Sequence, residues 1–293
     1  MGAMDILVTG GTGQLGLELQ RLAWPDGVRL HAPGRETLDL ASPDAIARLI
    51  AARPFAVVIN AAAYTAVDKA ESEVAAAWTL NALAPAVLAA ETAKAKIPLL
   101  HVSTDYVFSG LKAGPYVEDD PVGPLGVYGA SKEGGEQAVR SANPRSVIIR
   151  TAWVVSEHRA NFVKTVLRLA NERDRLTIVA DQQGCPTSAR DLASALAMIA
   201  LRLASDPAAP VGTFHVTNAG ETSWHGLACE VVRLAFDGRR GAPIVHAITT
   251  ADYPTPARRP MNSRLANAKV AEAYGVALRP WQEAVAEIVS ALR

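Results

Sequence analysis

The feature that most constrains the fold is an alternation of short apolar runs with longer amphipathic stretches in the first half of the chain. The apolar runs have the length of strands and read DILVTG, VRLHA, FAVVIN, LLHVST and SVIIRTAW. Continuous apolar strands separated by helices are what a parallel sheet covered on both faces requires. The alternation therefore predicts an α/β fold with a doubly wound parallel sheet.

The alternation loosens after about residue 150, which predicts a second, smaller and mixed region. We expect a first domain of residues 1–150 with parts of 160–235. A smaller C-terminal substrate domain is expected to comprise residues 151–159 and about 236–293, together with intervening loops. Ser188 and Asp191 have the spacing of a helix-capping box. The stretch from Pro243 to Pro260 is rich in Pro and Thr and is interpreted as an ordered functional loop or a connector.

Composition narrows the classes of function. The 293 residues are 49% hydrophobic and carry 29 basic and 29 acidic side chains, so no global field favours nucleic acid or an anionic membrane. Cys185 and Cys229 form no cluster, which indicates a reducing compartment such as the cytoplasm and no zinc site. The most apolar stretch is broken by Arg202, so no membrane-spanning helix is expected. The N-terminus has no basic segment followed by a long apolar region, so no signal peptide is expected. A small-molecule site is the remaining class.

A glycine-rich turn follows the first apolar run. The sequence GGTGQLG places Gly10, Gly13 and Gly16 between a strand and a helix. Glycines in that position permit a tight turn and close approach of the backbone to a pyrophosphate, and the helix N-terminus favours negative charge. The context predicts dinucleotide binding on a Rossmann-type sheet, whereas the spacing alone would also suit a plain glycine turn.

The end of the second strand bears on which dinucleotide binds. An acidic residue there selects NAD, whereas an arginine accommodates the 2′-phosphate of NADP. Here Arg35 precedes the first acid, Glu36, which favours NADPH, with NADH still open. Arg35 as a solvated loop residue is the alternative. Asp39 and Leu40 could contact the edge of the adenine ring or, equally, form a turn before the next helix.

Polar side chains that follow the later strands suggest a catalytic site. Thr104 ends the fourth strand, and Tyr128 stands four residues before Lys132 in the stretch YGASK. A lysine one helical turn from a tyrosine shares its face and is expected to stabilise the phenolate, which a proton donor for carbonyl reduction needs. Thr104 would hydrogen-bond the substrate carbonyl. The spacing of Tyr128 and Lys132 indicates a catalytic pair if Thr104 and a dinucleotide site accompany it.

Taken in order, these motifs resemble one known family over nearly the whole chain. GGTGQLG, NAAAYTAVDKAE, STDYVFSG, the YGxxK helix, RTAWV, DQQGCPT and YPTPARRPMNSRL are similar to those of dTDP-4-dehydrorhamnose reductases, which are extended short-chain dehydrogenases/reductases. The resemblance implies reduction of the 4-keto group of dTDP-4-dehydro-β-L-rhamnose to dTDP-L-rhamnose, a precursor of bacterial cell-surface polysaccharide. The expected stereochemistry of the product, rhamnose rather than 6-deoxytalose, rests on the resemblance alone.

The resemblance also implies roles for residues at matched positions. The catalytic residues would be Thr104 as carbonyl partner, Tyr128 as proton donor and Lys132 as activator and ribose ligand. The cofactor would contact Gly10, Gly11, Thr12, Gly13, Gln14, Leu15, Gly16, Arg35, Asp39, Leu40, Ala63, Tyr64 and Thr65, besides Tyr128 and Lys132. The sugar nucleotide would contact Val67, Asp68, Thr104, Asp105, Tyr106, Trp153, Arg259 and Asn262.

Several of these positions also have structural explanations. Asp68 opens a helix and could serve only as its cap. Tyr106 could be strand-end packing, and Trp153 could belong to the core rather than stack on a sugar or base. Arg258, Arg259 and Asn262 suit either a solvated loop or the forked recognition of a diphosphate.

Some relatives bind magnesium through an acid in the helix after the PT motif. The corresponding stretch here reads PTSARD, with Arg190 before Asp191. The sequence therefore does not favour a metal site, and none is predicted.

Other functions remain as alternatives. A related dehydratase has Glu after the Thr and Asp, where this chain has Tyr106, so dehydration is not favoured. A reductase or epimerase of another nucleotide sugar stays open. A non-catalytic NADP-binding module, similar to a regulatory subunit of methionine adenosyltransferase, would not need Thr104, Tyr128 and Lys132. A homodimer is an open alternative to a monomer.

Overall fold

A computed structural model describes residues 4–238 and 241–293, and its largest sheet has six parallel strands. The strands of the structure are β1 (Met4–Thr9), β2 (Val28–His31), β3 (Val57–Asn60), β4 (Leu99–Thr104), β5 (Ser146–Thr151), β6 (Val154–Val155), β7 (Arg175–Val179), β8 (Gln183–Gly184), β9 (Thr187–Ser188), β10 (Gly212–His215), β11 (Thr222–Ser223), β12 (Ile244–Ile248) and β13 (Asn262–Ser263). The large sheet has the order β2-β1-β3-β4-β5-β10. The order reverses between β1 and β3, so the predicted doubly wound sheet is confirmed.

Helices cover both faces of the large sheet. They are α1 (Gln14–Arg21), α2 (Pro43–Ala52), α3 (Val67–Ala70), α4 (Val74–Trp78), α5 (Ala84–Lys94), α6 (Val127–Ala142), α7 (Phe162–Glu172), α8 (Ala189–Ser205), α9 (Trp224–Phe236), α10 (Ala268–Tyr274) and α11 (Trp281–Ala291). A π-helical turn, Thr79–Leu83, joins α4 to α5. The long amphipathic segment after β3 is therefore divided into three helices and a π turn.

The side-chain alternation along β1 explains the two layers of helices. Ile6 and Val8 belong to a core that includes residues of α1 and α8, whereas Leu7 belongs to a second core with residues of α2, α5 and α6. Successive strand residues point to opposite faces, so a strand that is apolar throughout needs helices on both sides.

A third core lies beside the large sheet. It brings together buried residues of α7, α9 and α11, including Val163, Val231 and Val285. Three small sheets accompany it, in the orders β11-β8-β13, β12-β7 and β6-β9. Strand β10 extends the large sheet, although it lies late in the chain. The division into the two domains given above stays a prediction.

One expectation about the late loops was wrong. The stretch from Pro243 to Pro260 is not irregular throughout, because β12 lies within it and pairs in parallel with β7 over five residues. Local composition concealed this strand, since its hydrogen-bonding partner is about seventy residues away in sequence. The remainder, including YPTPARRP, contains only a single 3₁₀ turn, Thr250–Asp252.

The predicted cap of α8 is present in part. The Ser188 hydroxyl accepts a hydrogen bond from the backbone N–H of Asp191 at 3.4 Å. The reciprocal half of a capping box is missing, because the Asp191 carboxylate accepts from Arg279 at 2.9 Å and from Asn218 at 2.7 Å. Asp191 therefore ties the start of α8 to the loop before α11.

Within the part of the chain that the structure describes, one helical segment, Val74–Lys94, is long and apolar enough to span a membrane by length and composition. Within it, Leu88 and Ala89 are buried in the core with residues of α2 and α6. Packing on a buried sheet gives a helix this composition without any membrane.

A buried ion pair joins α6 to β5. Arg150 donates to Glu136 at 2.7 and 2.9 Å, and the two side chains are 4% and 0% exposed. Burial raises the pKa of Glu136, but the hydrogen bonds and charge of Arg150 outweigh it and keep that pKa below its usual value. Glu136 is therefore a carboxylate locked in place one turn after Lys132.

Removing one partner should be strongly destabilising. We expect Glu136→Gln to lower the free energy of unfolding by about 3–5 kcal/mol, because the Arg150 charge stays buried without its partner. Urea unfolding followed by circular dichroism measures this loss. Glu172→Gln, which breaks the exposed pair with Arg168, is the matched control and should cost less than about 1 kcal/mol. Equal losses for the two variants would contradict a structural role of the buried pair.

Candidate active site

A cavity of about 730 Å³ lies at the carboxyl ends of the strands in the large sheet. One side is formed by the turn between β1 and α1, and the floor by the ends of β3, β4 and β5. This is the edge at which open parallel sheets bind their ligands.

The glycine turn is packed so closely that side chains would not fit. A Cβ on Gly16 would lie 2.2 Å from the carbonyl oxygen of Gly10, and one on Gly10 would lie 2.7 Å from the Ala62 nitrogen. Gly10 also has φ +73, a conformation that glycine adopts without strain. The turn therefore brings backbone, rather than side chains, to the cavity wall, as a diphosphate requires.

Most of the predicted cofactor residues line this cavity. They are Gly10, Gly11, Thr12, Gly13, Gln14, Leu15, Arg35, Asp39, Leu40, Ala63, Thr65, Tyr128 and Lys132. Gly16 is not among the lining residues and instead packs beneath Gly10. Tyr64 is also not among them, and its hydroxyl donates to Glu73 at 2.6 Å. The cofactor roles of these residues stay predictions.

Thr104, Tyr128 and Lys132 meet at the cavity floor. Thr104 is the last residue of β4, and the other two lie in the first turns of α6. The Lys132 ammonium donates to the carbonyl oxygen of Val102 at 2.7 Å, so helix and strand are joined directly behind the site. Lys132 is only 2% exposed.

Burial shifts both ionisable groups of the pair. It lowers the pKa of the Lys132 ammonium to about 8, although the charge of Glu136 opposes this shift. It raises the pKa of the Tyr128 phenol to about 12, with hydrogen bonding to Thr104 opposing and the charge of Asp105 reinforcing the rise. Lys132 is not among the groups that shift the pKa of Tyr128, so its stabilisation of the phenolate stays a prediction.

Asp105 is a buried acid beside these residues. It is 2% exposed, and burial raises the pKa of its carboxyl to about 6. Its Oδ1 accepts the hydroxyl hydrogen of Thr104 at 2.9 Å. The pKa of Tyr106 next to it is also raised, first by burial and then by the charge of Asp105.

One side of the cavity is aromatic. Tyr106 packs edge-on against Tyr128, with ring centroids 5.4 Å apart. Trp153 stacks on Trp224 at 3.5 Å and has φ +48, a conformation unusual for a residue with a side chain. Backbone strain of this kind is often found at functional sites. The predicted substrate residues Val67, Asp105, Tyr106 and Trp153 line the cavity, as does Thr104.

Three predicted substrate residues are not among those that line it. Asp68 and Arg259 form a two-pronged ion pair, with both nitrogen–oxygen distances at 2.9 Å. The Asn262 amide donates to the carbonyl oxygens of Lys112 and Gly114 at 2.6 and 2.8 Å. These contacts fix the loop before β13 against neighbouring segments, and the substrate roles of the three residues stay predictions. Arg258 is exposed.

Sequence reasoning missed several residues of the site. Phe162, Trp224 and Asn161 line the cavity from α7, α9 and the loop before α7. Asn81, in the π turn, is fully buried; it accepts from the Tyr64 N–H at 2.8 Å and donates to Ser131 on α6 at 3.0 Å. The sequence does contain one signal for Asn81: it is the single asparagine in an apolar helical stretch, and a buried amide needs hydrogen-bond partners.

The predicted absence of a metal site stays a prediction. In the PTSARD stretch, Arg190 lies 3.6 Å from Glu287, and Asp191 is engaged by Arg279. Among the described residues, Glu18, Glu157 and His158 lie close enough together to hold an ion. Both cysteines are free thiols.

Comparison with known proteins decides the family. The model described as RmlD substrate binding domain matches residues 4–293. The chain belongs to this family. A protein of Sinorhizobium fredii named dTDP-4-dehydrorhamnose reductase is 46% identical over 291 residues, covering 99% of this chain and 98% of the relative. A protein of the same name from Burkholderia thailandensis is 44% identical over 96% of this chain and 97% of its own length.

Solved structures of the same name have the same fold. That from Clostridium acetobutylicum is 37% identical with a TM-score of 0.92, and that from Bacillus anthracis, in complex with NADP, is 29% identical with a TM-score of 0.91. Each comparison covers 99% of both chains. A dTDP-glucose 4,6-dehydratase from Streptomyces venezuelae shares the fold at 17% identity and a TM-score of 0.77, covering 98% of this chain and 96% of that one.

The glycine packing gives a testable expectation. Gly16→Ala should lower the free energy of unfolding by about 1–3 kcal/mol, because the new methyl group overlaps the Gly10 carbonyl. NADPH binding should weaken as well, since the turn that faces the cavity must move. Urea unfolding and NADPH fluorescence titration measure the two effects. Gly114→Ala, where a Cβ meets no atom within 4 Å, is the control, and equal behaviour of both variants would refute the packing explanation.

Proposed function

We propose that this chain is an NADPH-dependent dTDP-4-dehydrorhamnose reductase, which reduces the 4-keto group of dTDP-4-dehydro-β-L-rhamnose to give dTDP-L-rhamnose. The observation that carries the proposal is the meeting of Thr104, Tyr128 and Lys132 at the floor of a cavity whose wall is the glycine turn. The names of the relatives at 46% and 44% identity support it.

The residues present fit a bound NADPH. The close-packed glycine turn offers backbone to the diphosphate, and Arg35 offers a cation to a 2′-phosphate. The NADP complex of the Bacillus anthracis relative supports this cofactor over NADH. When bound, the dinucleotide supplies the hydride that the carbonyl carbon of the sugar accepts.

Residues of the chain itself supply the proton that the carbonyl oxygen accepts. Tyr128 donates its hydroxyl proton to the carbonyl oxygen as hydride adds to the carbon, so the ketone becomes an alcohol. Because burial raises the pKa of Tyr128 to about 12, the phenol holds its proton at neutral pH until the oxygen becomes basic. Lys132 then stabilises the phenolate with its positive charge. Thr104 binds the carbonyl oxygen, and Trp153 with Trp224 forms a flat apolar wall for the sugar nucleotide.

The alternatives fit the site less well. A dehydratase needs a further acid at the position of Tyr106, whose phenol has a raised pKa and no carboxylate character. A purely regulatory NADP-binding module gives no reason to bury an ammonium and a phenol together at the cavity floor, where both lose hydration.

Further assignments belong with this proposal. We place the enzyme in the cytoplasm, where its nucleotide cofactor is available. The sugar nucleotide is proposed to lie between the Rossmann-type domain and the smaller C-terminal domain, near Val67, Asp105, Tyr106 and Trp153. Asp68, Arg259 and Asn262 are proposed to shape the loop that borders it, and a homodimer remains compatible with these assignments.

The function is tested by following NADPH absorbance after adding enzymatically generated dTDP-4-dehydro-L-rhamnose to purified protein. We expect substrate-dependent oxidation of NADPH and formation of dTDP-L-rhamnose. Tyr128→Phe should lower turnover by about 10²- to 10⁴-fold, because the proton donor is lost, while NADPH still binds.

Tyr116→Phe is the matched control, since it removes a buried phenol that is not among the cavity-lining residues and should keep turnover. No oxidation of NADPH by folded, NADPH-binding protein would overturn the proposal. Unchanged turnover of Tyr128→Phe would overturn the assigned proton donor.

The cofactor preference is tested at Arg35. Arg35→Ala should lower the ratio of kcat/KM for NADPH to that for NADH by about 10- to 100-fold, because a charged contact to the 2′-phosphate is lost. Both cofactors are assayed with the same sugar substrate. Arg48→Ala, which removes an exposed arginine of α2, should leave the ratio unchanged. An unaltered ratio in Arg35→Ala would show that another group selects the cofactor.

A further inference from the structure

The single hydrogen of the Thr104 hydroxyl is already in use. A threonine hydroxyl donates one hydrogen bond and accepts two. In the structure it donates to Asp105 Oδ1 at 2.9 Å and accepts from the backbone N–H of Tyr106 at 3.3 Å. One acceptor lone pair is left for a further partner, and the Tyr128 hydroxyl lies within hydrogen-bonding reach of Thr104. A carbonyl oxygen needs a donor, so Thr104 cannot bind the substrate carbonyl while its hydrogen points to Asp105.

Asp105 controls where that hydrogen points. Its side chain is almost fully buried, and its Oδ2 has no hydrogen-bond partner among the described residues. Burial favours the uncharged acid, whereas hydroxyls of Ser263 and Thr104 and nearby backbone N–H groups favour the carboxylate. The titratable groups that respond to its charge are Tyr106, Tyr128 and Cys185, which are all neutral near pH 7. No cation is among the groups that set its pKa.

We infer that Asp105 works as a positioning residue in its carboxylic acid form, donating its proton in a hydrogen bond to Thr104 and so turning the Thr104 hydrogen toward the substrate carbonyl. The inference rests on the proposed reductase function. Thr104 then accepts from Asp105 and from the Tyr106 N–H, and it donates to the carbonyl oxygen. Tyr128 is released to donate its own proton to the same oxygen. Asp105 keeps its proton throughout, so the balance of the reaction is unchanged.

The inference predicts the direction in which kcat changes with pH. The acid form of Asp105 is present below its pKa, about 6 in the free protein, and the geometry for reaction is lost as pH rises through it. Bound cofactor and sugar nucleotide add negative charge and exclude water, so the inflection in the complex should lie above that of the free protein. Loss of the Lys132 charge gives a second decline above about pH 8.

The test compares the pH profiles of kcat for the wild type and Asp105→Asn between about pH 5 and 9. The asparagine amide can donate to Thr104 as the acid does, but it does not titrate. We expect the wild-type kcat to fall by up to about tenfold per pH unit above the Asp105 inflection. Asp105→Asn should lose this decline and retain only the one at higher pH. Asp120→Asn, which removes a carboxylate paired with Lys112 outside the cavity, should keep the wild-type profile.

Two outcomes for Asp105→Asn in the otherwise wild-type protein would overturn the inference. One is an Asp105→Asn profile that declines as the wild type does; the other is a loss of turnover at every pH equal to that of Asp105→Ala, which would mean that the carboxylate is required. In a Thr104→Val background, replacing Asp105 by Asn should leave the pH profile unaltered, because Asp105 acts through Thr104. An equal change in both backgrounds would also overturn it.

A measurement without turnover separates this inference from the proposed function. Carbon-13 NMR of the labelled aspartate carboxyls in the NADP complex should show one carboxyl, absent in Asp105→Asn, that titrates at or above about pH 6. If Asp105→Asn does not fold, the resonance is assigned from its displacement in Thr104→Val. Titration near the usual aspartate value of about 3.9 would overturn the inference. A wild type that oxidises no NADPH with the sugar would defeat the proposed function instead.

Discussion

The site depends on how closely α6 approaches the end of β4. A Cβ on Gly129 would lie 2.2 Å from the carbonyl oxygen of Tyr106, so only a glycine lets the helix come this near. The approach brings the Lys132 ammonium to 2.7 Å from the Val102 carbonyl oxygen and seats Tyr128 beside Thr104. Without it the lysine and the phenol would share a helix face but not a site.

The same close packing sets the electrostatics. Burial lowers the pKa of Lys132 to about 8 and raises that of Tyr128 to about 12, which works against ionising either group. Arg150 keeps the buried Glu136 ionised, and the charge of Glu136 raises the pKa of Lys132 against the larger lowering by burial. Burial also leaves Asp105 with an elevated pKa. The position of each proton in this site therefore depends on the direction of the hydrogen bonds as well as on the charges.

Much of the architecture could be predicted from sequence because its signals are local. Apolar runs, the glycine turn and the spacing of Tyr128 and Lys132 all lie within a few residues of one another. What was missed depends on distant partners. Trp224 stacks on Trp153 from 71 residues away, and Asn81 ties the loop at Tyr64 to α6. Strand β12 exists because β7 is beside it.

The sequence by itself determined the doubly wound sheet, the glycine turn and the types of residue at the strand ends, since strand polarity brings those ends to one edge. Tertiary structure decided which of them share the cavity. Asp68 and Arg259 form an ion pair with each other, and the Asn262 amide donates both of its hydrogens to backbone carbonyl oxygens. It also placed the Thr104 hydroxyl 2.9 Å from the Asp105 carboxyl, so the direction of the hydrogen bond between them depends on the protonation of Asp105. Such choices depend on distances between atoms, and spacing along the chain does not contain them.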